Sequence, residues 1–205
     1  MSDTPIDVFI DLPSFPGPVQ AGRLWSHFRK GRESASFEYN KEWLANPHRF
    51  ALEPLLPLAD GTFHTNPGQS VFGAIGDSTP DRWGRILMRR AELARARTAN
   101  ESPHTLSELD YLLRVNDEAR QGALRFSQDG GQSFCAPPGS TPIPPLVNLS
   151  RLLHAADHFC RDDENAEDLR LLLAPGSSLG GARPKASVKD KKGNLCIAKF
   201  PRYDD

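Results

Sequence analysis

The stretch Gly176-Ser-Ser-Leu-Gly-Gly-Ala-Arg-Pro-Lys-Ala-Ser-Val188, followed by Leu195-Cys-Ile-Ala-Lys-Phe200, decides how the chain is read. Small residues between a predicted helix and a predicted strand let backbone N–H groups approach an anion closely. A lysine on the second strand, Lys199, supplies the positive charge that such an anion needs. Two common phosphate motifs fail on spacing. A Walker A loop needs Gly-Lys-Ser/Thr after Gly and four residues. Gly176 and Gly181 have that separation, but Ala182-Arg183 follow. A dinucleotide fingerprint needs glycine where Ser178 stands.

What remains is the general order of a kinase small lobe: glycine-rich turn, strand, short turn at Lys192-Gly193-Asn194, then a strand carrying lysine. On spacing alone, a surface hairpin with a solvated lysine accounts for the pattern equally well. Upstream, helices are predicted over about 149–160 and 164–173. Before them the chain from Ser127 to Pro145 is rich in Gly, Ser, Gln and Pro, a linker composition. The division that follows is 1–126, a linker over 127–148, and 149–205.

The N-terminal part reads as strands. Ile6, Val8, Ile10 and Leu12 alternate onto one face. Val19–Trp25 and Ser34–Tyr39 follow, with the turn at Lys30-Gly-Arg32. Trp43, Phe50 and Leu52 are expected to close the core, and Pro54–Pro67 to form loop or edge. Thr79, Pro80 and Asp81 carry helix-start signals, with Asp81 in the first turn. Trp83, Ile86, Leu87, Arg90 and Ala94 form that helix's stripe. A short helix over Leu106–Leu113, introduced by Thr105 and Ser107, and a strand over Gly122–Phe126 complete the pattern.

Composition narrows the class. A 205-residue chain of net charge −1 has a sizeable core and no general pull towards nucleic acid. It lacks an apolar run of membrane length and a signal-peptide start, so a cytoplasmic protein without a membrane partner is expected. Cys135, Cys160 and Cys196 are widely spaced and odd in number, which reads as reduced thiols. His154 and His158 stand one turn apart on a helix whose predicted buried face is Leu149, Leu152, Leu153, Ala156 and Phe159. They are expected outward and solvated, with no metal assigned. Six arginines between Arg82 and Arg97, mixed with Glu92, read as a solvated face rather than a nucleic-acid surface.

Five segments in order resemble the HipA-type serine/threonine kinases, the toxins of bacterial toxin–antitoxin pairs. They are Ser36-Phe-Glu-Tyr-Asn-Lys-Glu-Trp-Leu, Asp77-Ser-Thr-Pro-Asp-Arg-Trp-Gly-Arg, Leu109-Asp-Tyr-Leu-Leu with Gln121-Gly-Ala-Leu-Arg-Phe, the Gly176 loop, and Ile197-Ala-Lys-Phe-Pro. The resemblance implies an α+β fold: a small antiparallel sheet with packed helices, then a helix pair and the first strands of a kinase-like small lobe. It implies that Gly180, Gly181, Ala182 and Lys199 face ATP. Ser178, or its neighbour Ser177, matches the serine these kinases phosphorylate on themselves, with Ser187 beyond the glycines as its comparison. The implied partners are a HipB-like antitoxin, through which alone DNA would be reached, and a protein substrate of the translation machinery.

Phosphoryl transfer also needs an acceptor-positioning aspartate and magnesium ligands. The 205 residues contain no Asp-Phe-Gly or His-Arg-Asp-like run, and Asp204 and Asp205 follow Lys199 too closely. No catalytic residue is therefore assigned, and magnesium is expected only for a complete kinase. Two readings stay open: the front part of such a kinase, inactive by itself, or a non-catalytic module that docks on an antitoxin or a partner kinase. The hairpin's apolar edge is expected to be exposed.

Overall fold

The computed structural model describes residues 5–134, 143–176 and 181–201. Its elements are β1 (Ile6–Ile10), β2 (Val19–Arg29), β3 (Arg32–Tyr39), α1 (Lys41–Ala45), β4 (Thr62–His64), α2 (Gly73–Gly76), α3 (Arg82–Ala99), α4 (Glu108–Leu113), β5 (Leu124–Ser127), α5 (Leu149–Cys160), α6 (Ala166–Gly176), β6 (Lys185–Lys189) and β7 (Leu195–Lys199). Single 3-10 turns lie at Asp117–Ala119 and Leu146–Asn148. The fold is mixed, with a five-stranded antiparallel sheet in the N-terminal part. Two compact units form. One contains Met1–Ser78, Ser107–Leu113 and Gly122–Cys135; the other contains Thr79–Leu106, Arg114–Gln121 and Ala136–Asp205. The expected linker lies partly outside the described residues, as does Cys135; Cys160 and Cys196 take part in no disulfide.

The first unit is built on the sheet β4-β3-β2-β1-β5. Alternation puts Ile6, Val8 and Ile10 inside, where they meet Leu24, Phe37, Trp43, Phe72, Leu112 and Phe126 in one core. Burying each such side chain contributes about 1.5–3 kcal/mol. β2 and β3 form a hairpin closed by Lys30 and Gly31, both at positive φ (50° and 75°), as a tight two-residue turn demands. A bulge interrupts β1–β2: Val8 faces Gly22 but Phe9 faces Gln20, leaving Ala21 as the extra residue. Ser107 and Asp110 cap α4 reciprocally, each side chain accepting the other's backbone N–H at 3.1 and 2.9 Å.

Phe50 departs from expectation. It is 42% exposed, its ring edge-on to buried Trp43, whose indole N–H donates to the Phe50 carbonyl. The backbone at 50 is needed beside Trp43, which leaves its own side chain outside.

In the second unit α3 packs on α6, α6 on α5, and the β6–β7 hairpin closes the core beside them. Trp83, Leu87, Leu152, Phe159, Leu172, Ala186, Val188 and Phe200 are buried together. Leu149 and Leu153, expected in the buried face of α5, are exposed; Ala155 is buried instead. The contact face is rotated, and the small Ala155 and Ala156 permit close helix approach.

The arginines of α3 are partly internal ties, not a uniformly solvated face. Arg90 donates to Glu164 at 2.8 Å, pairs with Asp162, and lies 4.1 Å over the Phe159 ring. Glu92 is 3% exposed and binds Arg95 at 2.8 Å and Arg114 at 3.1 Å. No described helix is long and apolar enough to cross a membrane.

Candidate functional site

The candidate site is the start of the loop-to-hairpin segment in the second unit. Gly181 and Ala182 are exposed; the chain then enters β6, where Lys185, Ala186, Ser187 and Val188 are all buried. β7 returns antiparallel, with Lys199 opposite Lys185 and Leu195 opposite Lys189. The hairpin and its turn at Lys192-Gly193-Asn194 are thus as expected. Leu195 and Ile197 are 50% and 53% exposed, which makes β7 an apolar outer surface.

Two lysines, not one, converge here. Lys199 is exposed on β7, whereas Lys185 is only 9% exposed. The Lys185 ammonium lies against Gly181: a Cβ on that glycine would stand 2.9 Å from Nζ. Burial pushes the Lys185 pKa down, the charge of Lys199 lowers it further, and Asp81 opposes both. An anion placed beside these groups would relieve their repulsion. Motif spacing hides Lys185, which stands too late for a Walker lysine. The signal that could have found it is its i, i+14 relation to Lys199 across a hairpin.

The first turn of α3 holds this segment. Trp83 N–H donates to the Gly181 carbonyl at 3.1 Å, and the Trp83 indole N–H donates to the Lys185 carbonyl at 2.9 Å. Asp81 accepts the Gly181 N–H. Asp81 is not in the first helical turn, contrary to expectation; it occupies the cap position with extended backbone (φ −79°, ψ −173°), and α3 begins at Arg82. That Gly181 bond, before all other causes, draws the Asp81 carboxyl below its ordinary pKa. At the end of α6, Gly176 permits the close approach of α3. A Cβ there would stand 2.7 Å from Leu87 Cδ1 and 3.0 Å from Trp83 Nε1.

Other expected site residues fall differently. Gly180, Ser177 and Ser178 lie outside the described residues. His154 is exposed, but His158 is not simply solvated: its Nδ1 lies 3.0 Å from Asp168 Oδ2. The packing of α6 on α5 brings Asp168 within reach, a contact no local spacing announces. Among the described residues, no group of three or more His, Cys, Asp or Glu side chains is arranged to hold a metal ion.

The upstream motifs now decide the family. A family model described as HipA N-terminal domain matches residues 17–127. The chain belongs to the HipA N-terminal domain family. The HipA match takes in the β2–β3 hairpin, α3 and β5, and it ends before the Gly181 segment and both lysines. No curated protein matches the chain.

Proposed function

We propose that this HipA-family chain is the N-terminal portion of an ATP-dependent serine/threonine kinase of the toxin–antitoxin type, and that its Gly181 segment receives the nucleotide phosphates. Lys185 beside the Gly181 backbone, with Lys199 opposite it on the paired strand, is the observation that carries this reading. A backbone N–H and two ammonium groups form a donor set suited to a polyphosphate. The residues that would hold ATP are Gly181, Ala182, Lys185 and Lys199, with Gly180 by resemblance. By resemblance magnesium belongs to the complete kinase, and no transfer step is assigned to these 205 residues. In the complete kinase the acceptor would be a protein of the translation machinery, and a HipB-like antitoxin its restraint.

Calorimetric titration of the 205-residue chain with ATP and with tripolyphosphate tests the reading. Both should bind, and Lys199→Ala should weaken both by on the order of tenfold. Absence of binding, or equal binding by the variant, would remove the site.

A second reading has its own support: the family match lies wholly within 17–127, and Leu195 and Ile197 offer an exposed apolar surface. On this reading the chain is a docking module for an antitoxin or partner kinase. Antitoxin binding that survives Lys199→Ala but is lost in Ile197→Asp would favour it.

A further inference from the structure

We infer that Asp81 is a built-in competitor for the anion seat at Gly181: its carboxylate takes the backbone N–H that a phosphate would use, and phosphate must displace it. The inference rests on the phosphate reading of the Gly181 segment.

Three observations combine. Asp81 stands at the cap of α3, where aspartate ordinarily accepts an N–H of its own helix, yet it makes no side-chain cap bond. Its Oδ2 accepts instead from Gly181, 100 residues further along the chain. Second, Gly181 is anchored to the start of α3 at both of its backbone groups: its carbonyl accepts the Trp83 N–H at 3.1 Å, and its own N–H donates to Asp81. Third, the positive groups are already gathered, with Lys185 against Gly181 and Lys199 opposite Lys185. A carboxylate beside one N–H and a lysine pair is a one-charge stand-in for phosphate. A ligand with more negative charge outcompetes it, and the freed carboxylate can turn to cap α3 in the usual way. Weakly charged anions would lose the contest, so the device selects polyphosphates over single carboxylates.

Tripolyphosphate titrations of the 205-residue chain test this, with wild type, Asp81→Ala and Asp81→Asn compared. Asp81→Asn keeps an acceptor oxygen for Gly181 and guards against a folding defect. Both variants should bind roughly tenfold more tightly than wild type. In labelled wild-type protein, the Gly181 amide and Asp81 carboxyl-carbon resonances should move together as tripolyphosphate is added. Wild-type binding with unchanged or weaker affinity in both variants would overturn the competition while leaving the phosphate site standing. A Gly181 amide that moves while the Asp81 carboxyl carbon stays fixed would overturn it too. No binding by any of the three proteins would overturn the phosphate reading itself, and the competition with it.

Discussion

Trp83 and Lys185, 102 residues apart in the chain, share one buried hydrogen bond, from the indole N–H to the lysine carbonyl at 2.9 Å. It joins the first turn of α3 to the first residue of β6, while the Trp83 ring packs edge-on against Phe159 at 5.0 Å. Trp83→Phe keeps an aromatic ring and removes the bond, so it should cost about 1–3 kcal/mol in urea unfolding. Trp83→Ala should cost about 3–5 kcal/mol. A Trp83→Phe variant as stable as wild type would show that the bond contributes nothing beyond ring packing.

Glu92 ties α3 to the segments that follow it. Hydrogen bonds from Arg95, the His104 N–H and Arg114 outweigh burial and lower its pKa from 4.5 to about 2. A carboxylate depressed in the folded state adds stability that is full above its unfolded pKa. That stability drains away as pH falls through the window from about 4.5 to about 2. Glu92→Gln should destabilise the second unit by about 2 kcal/mol at neutral pH. It should also flatten the acid limb of stability in that window. An acid limb identical to wild type would place the acid sensitivity elsewhere.

The first unit is legible in the sequence where its strands alternate, although the bulge at Ala21 breaks the period in β2. Ile6, Val8 and Ile10 read as one face from alternation alone, and Lys30-Gly31 as a turn. The hairpin of β6 and β7 is legible from its turn. Periodicity fails where a residue's fate depends on a distant partner. Glu92 looks like one charge among arginines, because its partner Arg114 lies 22 residues on. Leu149 and Leu153 have the right spacing for burial, but spacing does not say how far a contact face is rotated. Asp81 carries helix-start chemistry that the Gly181 segment claims instead.

Gly22 sits beside the β1–β2 bulge, and a Cβ there would stand 2.2 Å from the Glu38 carbonyl oxygen and 2.4 Å from the Phe37 ring. Neither neighbour can yield easily, since one is backbone within β3 and the other is a fully buried ring. Gly22→Ala should therefore destabilise the first unit by about 1–3 kcal/mol, the usual range for overpacking. A denaturation midpoint unchanged from wild type would mean the strand pair can part at the bulge without penalty.

Ser178 is the expected regulatory serine, on resemblance, three residues before Gly181. On the proposed nucleotide reading, a phosphate there would add about −1.5 to −2 charges that compete with the nucleotide phosphates. In a complete kinase containing this chain, Ser178→Asp should weaken ATP binding by on the order of tenfold. Ser177→Asp tests whether the neighbour shares the role. Ser187, the comparison that sequence suggests, is unsuitable: it is 4% exposed on β6, and an aspartate there would bury a charge. Exposed Ser150 on α5 is the better control, because an acid in the first turn of a helix is well tolerated. ATP affinities equal among the 177, 178 and 150 variants would leave Ser178 a turn residue. A loss confined to Ser178→Asp, with Asp81→Asn restoring part of the affinity, would tie the switch to the Gly181 N–H: two acids would then be repelling one phosphate from the same seat.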